Sequence, residues 1–279
     1  MTDLMNQINN AAELTDQTAV STGFTREVAP AGFTTARFVS YIEVGKQPQR
    51  PYQGVEKPDA HEVRLTFELN GPKHITEYEY DGEKKTRSNL IHITNTISNS
   101  EKSNFYKLLQ KMRYGRNNIK HMAQMLGEGF LVKVTHNKSK DGTKTYANLK
   151  SDVWDIGEPA TTNPVTNETS ILAVPEATQP LQLLLWNLPT TEQWETIFID
   201  GEYTREVDGK QVTKSKNFIQ ELAMSASNFQ GSPLEALVMG GTVAELMTPS
   251  ARSGLGVELV EAPVEAPADE DPLAALGLA

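Results

Sequence analysis

Residues 61–69, HEVRLTFEL, alternate without a break: Val63, Leu65, Phe67 and Leu69 fall on one side, and Glu62, Arg64, Thr66 and Glu68 on the other. A period of two, apolar against polar, suits a strand with one face in a core and the other in water. That segment commits the middle of the chain to a sheet, and its neighbours agree. Residues 37–44 (RFVSYIEV) are rich in β-formers, 75–80 (ITEYEY) form a short extra strand before a turn at Asp81-Gly82, and 89–97 (NLIHITNTI) set Ile91, Ile93 and Ile97 on one side. The period then changes. Phe105, Leu108, Leu109 and Met112 are spaced for a helix over 101–113, with Ser98 or Asn99 as its cap and Gly115 past its end. Ile119, Met122, Ala123 and Leu126 predict a second helix over 118–126. Strands return at 129–136 and 143–150, joined through Lys140-Asp141-Gly142.

Strand, strand, strand, helices, strand, strand is the order of the five-stranded oligonucleotide-binding barrel. The expected fold is therefore mainly β with α: that barrel over 31–156, with its helices between the third and fourth strands. A small α+β sandwich shares the order. Residues 1–30 are polar and aperiodic, and a flexible segment is expected there. Residues 157–180 hold Pro159, Pro164, Pro175 and Pro180 among Thr and Asn, a linker or a surface excursion. Residues 181–248 predict a smaller α/β extension: a hairpin of 198–205 with 210–214, a helix from Ser215 to Asn228 burying Phe218, Leu222 and Phe229, and a short helix through Leu237. Past Pro249 the chain is acidic and Pro-rich, and a disordered tail is expected.

Charge then separates the function classes. The net charge of −10 argues against a polyanion as ligand, but its distribution does not. Residues 101–150 carry 11 basic and 3 acidic residues, net +8, whereas residues 151–252 carry 5 and 14, net −9. A nucleic acid senses the local field. In barrels of this class the working surface is the face of the second and third strands with the loops joining strands one to two and four to five. The first loop, 45–60, brings Lys46, Arg50, Tyr52 and Lys57; the second, 137–143, brings Lys138 and Lys140. Lys144, Tyr146 and Lys150 lie on one face of the last strand, and Lys133 points away from Phe130, Val132 and Val134. The helices add Lys107, Lys111, Arg113, Arg116 and Lys120. Single-strand binders need cations for phosphates and flat side chains for bases, so Tyr52, Tyr146 and Tyr41 are the candidate stacking rings. These groups are expected to share a single trough. An outward, solvated set of lysines is the plainer reading of the same residues.

Residues 253–279 hold no Lys or Arg; Asp269, Glu270 and Asp271 close a run of acids before an apolar end with Leu273, Leu276 and Leu278. Such a segment is expected to compete with DNA for the cations, or to dock on another protein. No phosphate loop or nucleophile elbow occurs, and His61, His74, His92, His121 and His136 lack metal-ligand spacing. The expectation is a protein without catalysis, cofactor or metal. There is no cysteine, MTDLMNQINNAAEL lacks the pattern of a signal peptide, and the longest apolar stretch, Leu181 to Leu188, is broken by Gln182 and Asn187. A soluble, cytoplasmic protein without membrane contact is therefore expected.

FVSYIEVG (38–45), EVRLTFEL (62–69), HMAQMLGEGFLVKVTHN (121–137), DGTKTYANLK (141–150) and SKNFIQELAMSASNFQGSPL (215–234) together resemble bacteriophage single-stranded DNA-binding proteins. The likeness spans roughly residues 30–240. It implies an oligonucleotide-binding fold, a role in phage DNA replication or recombination, and tail contacts with replication or recombination proteins. Such tails commonly end on an aromatic residue, and this one ends Leu278-Ala279. A phage scaffolding component and a ring-forming strand-annealing protein are the alternatives, and a homo-oligomer is compatible with each.

Overall fold

A computed structural model describes residues 28–80, 82–139, 141–207 and 210–240. The protein is mainly β, 44% strand against 18% helix, and its main sheet is open, with seven antiparallel strands. Its path is β5 (Leu90–Thr96), β2 (Val55–Leu69), β1 (Gly32–Tyr52), β6 (Gly129–Lys138) and β7 (Thr145–Asn148). β8 (Ile156–Gly157) pairs with β6, and β11 (Gln182–Leu184) with β1. Three two-stranded ribbons stand apart from it: β3 (Ile75–Tyr80) with β4 (Glu83–Ser88), β9 (Ala160–Thr162) with β10 (Thr169–Ile171), and β12 (Glu202–Val207) with β13 (Lys210–Ser215). No helix among the described residues is long and apolar enough to cross a membrane.

The chain divides into two compact units, one holding the residues through Tyr41 and Arg64–Leu181, the other Ile42–Val63 and the chain from Gln182 on. In the first unit, alternation sorts the side chains as expected: Val132 and Val134 of β6, and Leu65 and Phe67 of β2, are buried. Phe38, Phe67 and Phe130 build the centre, with ring centroids 5.1 Å apart for the first pair and 6.3 Å for the second. Helix α1 (Asn104–Arg113) adds Phe105, Leu108 and Met112. Its cap is Ser103, whose hydroxyl accepts from the Tyr106 amide at 3.0 Å, and not Ser98 or Asn99. Ser98 instead holds the cap, its carbonyl accepting from the Ser103 hydroxyl.

The second expected helix is only a 3-10 turn, Met122–Met125. His121 and Gln124 cap its start reciprocally, Gly127 follows at φ +85°, and the run between these stops is too short for an α-helix. The segment after β10 lies on the sheet. Arg37 donates to the carbonyls of Val174, Pro175 and Gly127. The Glu68 carboxylate, fully buried, accepts from the Thr178 amide and hydroxyl and from the Gln179 amide.

In the second unit the expected loop 45–60 is instead a long β-hairpin. β1 runs on to Tyr52 and β2 starts at Val55, joined by Gln53 and Gly54 at φ +51° and +80°. Positive φ at both central residues matches the twist of flanking strands, so the strands continue to the tip. Helices α2 (Thr191–Thr196), α3 (Phe218–Met224) and α4 (Pro233–Val238) follow. Ile42, Val44, Leu184, Trp186, Ile197, Ala223, Ala226 and Leu234 form this unit's core. α3 is shorter than its expected span and Phe218 is exposed; Ala223 and Gln220 take the buried side.

Candidate nucleic-acid interface

Tyr41 is buried, so the candidate residues cannot all line one exposed trough. The first unit holds two groups of them, on β1, β6 and β7 and around α1, and the second unit carries the rest.

One set is built by strand register. β1 and β6 pair with Phe33 opposite Lys133, and β6 and β7 pair with Asn137 opposite Tyr146. Residues opposite one another in an antiparallel pair share a face, as do alternate residues along a strand. Phe33, Lys133, Thr135, Asn137, Tyr146 and Asn148 therefore lie on one face, away from Val132 and Val134. Phe33 is 73% exposed and Tyr146 53%. The Lys133 ammonium sits 5.6 Å from the Phe33 centroid. The two rings are four residues apart along β6 and on either side of it, roughly 16 Å from strand spacing and rise.

Local chemistry fixes the turn beside Tyr146. Asp141 accepts from the Ser139 hydroxyl, from the Thr143 hydroxyl at 2.8 Å and from the Thr143 amide at 3.2 Å, with Gly142 at φ +71°. These bonds, that from Ser139 first, hold the Asp141 carboxyl below its ordinary range. The acid is thus committed to the turn, while Lys138 and Lys144 at its two sides are exposed. Lys140 lies outside the described residues, as do Asp269, Glu270, Asp271, Leu273, Leu276 and Leu278.

The second set surrounds α1. Lys107, Lys111 and Lys150 line a cleft of about 390 Å³ with Trp154 and Val153, but Glu101 and Asp152 line it too. Trp154 is buried and its indole donates to the Asn104 carbonyl at 2.9 Å, so its ring is no stacking platform. Lys150 donates to the Asn104 side chain at 2.9 Å. Arg116 forms a two-pronged pair with Glu128, at 3.0 and 2.6 Å, which raises the guanidinium pKa above its ordinary value. Arg116 also stacks over Tyr114, 4.1 Å from its centroid. Arg113 donates to the Arg116 carbonyl and to Asn117. Arg116 donates to the Arg113 and Met112 carbonyls, at 3.3 and 3.4 Å, and so closes the end of α1 where Tyr114 turns left-handed at φ +34°; both arginines, expected on DNA, have partners within the chain. Lys120 is exposed next to the 3-10 turn, where its amide donates to Gln124.

Tyr41 is the other correction. It is 1% exposed, its ring edge-on to His121 at 5.3 Å. β1 is buried on both faces from Phe38 to Ile42, so alternation there does not sort inside from outside. A base has no access to this ring.

In the second unit Tyr52, 61% exposed at the hairpin tip, has the Lys57 ammonium 4.8 Å from its centroid. Lys46 and Arg50 are exposed along β1; the Lys46 amide donates to Asn228 at 2.7 Å.

Sequence reasoning missed Phe33, whose strand begins earlier than the β-rich run that marks it. Gly32-Phe33-Thr34-Thr35 shows alternation only once its partner β6 is known. Compared with protein-family models, with curated proteins and with solved structures, the chain gives no significant match.

Proposed function

We propose that this chain binds single-stranded DNA without sequence preference and without catalysis, through an oligonucleotide-binding barrel in its first unit. The observation that carries the reading is the open strip of Phe33, Lys133 and Tyr146: two exposed rings and a cation on one sheet face. Rings stack on any base, and lysines, Lys133 between the rings and Lys138 and Lys144 flanking the turn beside Tyr146, neutralise phosphates. The strand path supports the barrel. Taken over its five principal strands, β5-β2-β1-β6-β7 reads third, second, first, fourth, fifth, with α1 between third and fourth. The path's two ends, β5 and β7, come within 8 Å of one another, as a nearly closed sheet requires.

In this reading the protein protects or organises single strands during phage DNA replication or recombination, as its sequence resemblance implies, and the acidic tail contacts replication proteins. Tyr52 and Lys57 repeat the ring-and-cation pairing at the hairpin tip. Fluorescence anisotropy with labelled oligonucleotides tests the reading. Single strands are expected to bind at least tenfold more tightly than duplex of the same length, with affinity falling steeply as salt rises. Equal affinity for both forms refutes it.

A further inference from the structure

The β3–β4 ribbon, Ile75–Ser88, belongs to no candidate site above, and its composition is sorted by face. In its register Tyr78 is opposite Lys85 and Thr76 opposite Arg87, whereas Glu77 is opposite Thr86 and Glu79 opposite Lys84. Alternation therefore puts Thr76, Tyr78, Glu83, Lys85 and Arg87 on one face and Glu77, Glu79, Thr86 and Lys84 on the other. The ring and two of the three cations share a face whose one described acid, Glu83, sits at the turn end, with Glu77 and Glu79 on the opposite face. Tyr78 is 42% exposed, and the Arg87 guanidinium lies 6.0 Å from its centroid. Lys85 also pairs with Glu83 at 3.6 Å, both side chains substantially exposed, a pairing worth little in water. Nothing in a core requires this arrangement, since none of the ribbon's side chains described, 75–79 and 83–88, is buried.

The ribbon's root fixes where it projects. The Leu69 amide donates to the Asn89 carbonyl at 2.9 Å, and the Asn89 amide to the His74 carbonyl at 2.8 Å. The Asn70 amide donates to the Thr35 carbonyl at 2.9 Å, and the Gly71 amide to the Thr34 hydroxyl at 3.1 Å. Thr34 and Thr35 follow Phe33 directly in β1. The ribbon thus leaves the sheet at the end of β1 that carries the strip.

We propose that the Tyr78 face of the β3–β4 ribbon is a second single-strand contact, taking nucleotides that run past the Phe33–Tyr146 strip. Tyr78 stacks on a base, and Arg87 and Lys85 hold the phosphates beside it. Strands of this length extend the bound track by about 20 Å. The inference rests on the reading of the strip as a nucleic-acid site.

The experiment compares two oligothymidylates, of about 5 and about 15 nucleotides, near the limits that one such barrel covers. Tyr78→Ala is expected to weaken the longer one about tenfold, the loss of one stacked ring, and to leave the shorter unchanged. Arg87→Gln is expected to lower the slope of log affinity against log salt by about 1 for the longer strand only. Glu77→Gln with Glu79→Gln, on the other face, is expected to leave ring-dependent binding in place, and circular dichroism should show every variant folded as the parent. If Tyr78→Ala leaves the longer strand's affinity unchanged while the short one binds the parent, the ribbon proposal is overturned and the strip survives. If Tyr78→Ala weakens both lengths equally, the ribbon is part of the primary site and the proposed division is wrong. If neither length binds the parent, both readings fall together.

Discussion

The strip on β1, β6 and β7 and the surroundings of α1 are both basic in sequence and both leave lysines exposed, Lys138 and Lys144 in the one and Lys107 and Lys111 in the other, yet the fold treats their rings and arginines differently. Around α1, Arg116 is held by Glu128, Arg113 by the carbonyl of Arg116 and by Asn117, and Lys150 by Asn104. Of the aromatic rings there, Trp154 is buried and Tyr106 and Tyr114 are half-buried. On the strip, the nearest acid in sequence, Asp141, is turned into its own loop by Ser139 and Thr143. Lys138 and Lys144 stay exposed, and the rings lie open to solvent. Counting cations cannot separate these regions; the exposure of the rings and the partners of the arginines can. A guanidinium that closes a helix end is not also available to a phosphate without undoing that end.

The comparison breaks most visibly if the rings and the arginines are exchanged in a binding assay. Phe33→Ala with Tyr146→Ala is expected to lower affinity for single-stranded DNA about a hundredfold, at roughly 1–3 kcal/mol per stacked base, with little change in melting temperature because both rings are exposed. Arg116→Ala should do the reverse. Its pair with Glu128 is two-pronged but partly exposed, with side chains at 28% and 32%, so its removal is expected to cost about 1 kcal/mol of stability and to leave DNA affinity within twofold. Anisotropy and thermal melting on the parent and both variants decide it. A large affinity loss in Arg116→Ala would return α1 to the binding surface.

A smaller effect sharpens the same contrast through salt. Lys133→Gln, Lys138→Gln and Lys144→Gln together are expected to reduce the slope of log affinity against log salt by about 2, near 0.7 for each phosphate of a single strand that no longer has its cation. The matching triple at Lys107, Lys111 and Lys150 is expected to change the slope by less than about 1. Equal changes would mean that phosphates visit both regions alike.

How far the sequence carries this reading depends on the kind of signal. The strands show in it because their pattern is local: Val63, Leu65, Phe67 and Leu69 declare β2, and Ile91 and Ile93 declare β5. The order of strands and α1 is local too, which is why the mainly β architecture can be read before any pairing is known. Hidden features are pairings. Tyr41 reads as an exposed strand aromatic, but β1 is covered on both faces there, and burial from the second side comes from other parts of the chain. Ile119, Met122, Ala123 and Leu126 have helical spacing, but end caps on each side leave room for one 3-10 turn. Phe33 becomes a site residue only through the register that places it opposite Lys133. The ribbon is half visible: ITEYEY reads as a strand, whereas EKKTRS, with no apolar residue, carries no pattern until it pairs.

The root of that ribbon supplies the smallest of these effects and a comparison within the histidines. His74 is buried where the ribbon leaves the sheet; desolvation, and then the charge of Lys73, lower its pKa from the ordinary 6.5. His61 in the second unit is lowered by burial and by Lys46. A folded-state pKa below the unfolded one means that the unfolded chain takes up the proton first. Stability attached to each neutral ring is therefore fully present above pH 6.5 and is lost as pH falls towards the folded-state value. The parent should lose melting temperature on acidification through this window, and His74→Asn should lose less. Because the ribbon's root hydrogen bonds pass through the His74 amide and carbonyl, amide exchange near Asn89 should quicken in the parent over the same pH interval, after correction for intrinsic rates. Identical pH profiles for parent and variant would remove His74 from the ribbon's anchorage, leaving its backbone bonds and the Gly71–Thr34 hydrogen bond to hold the root.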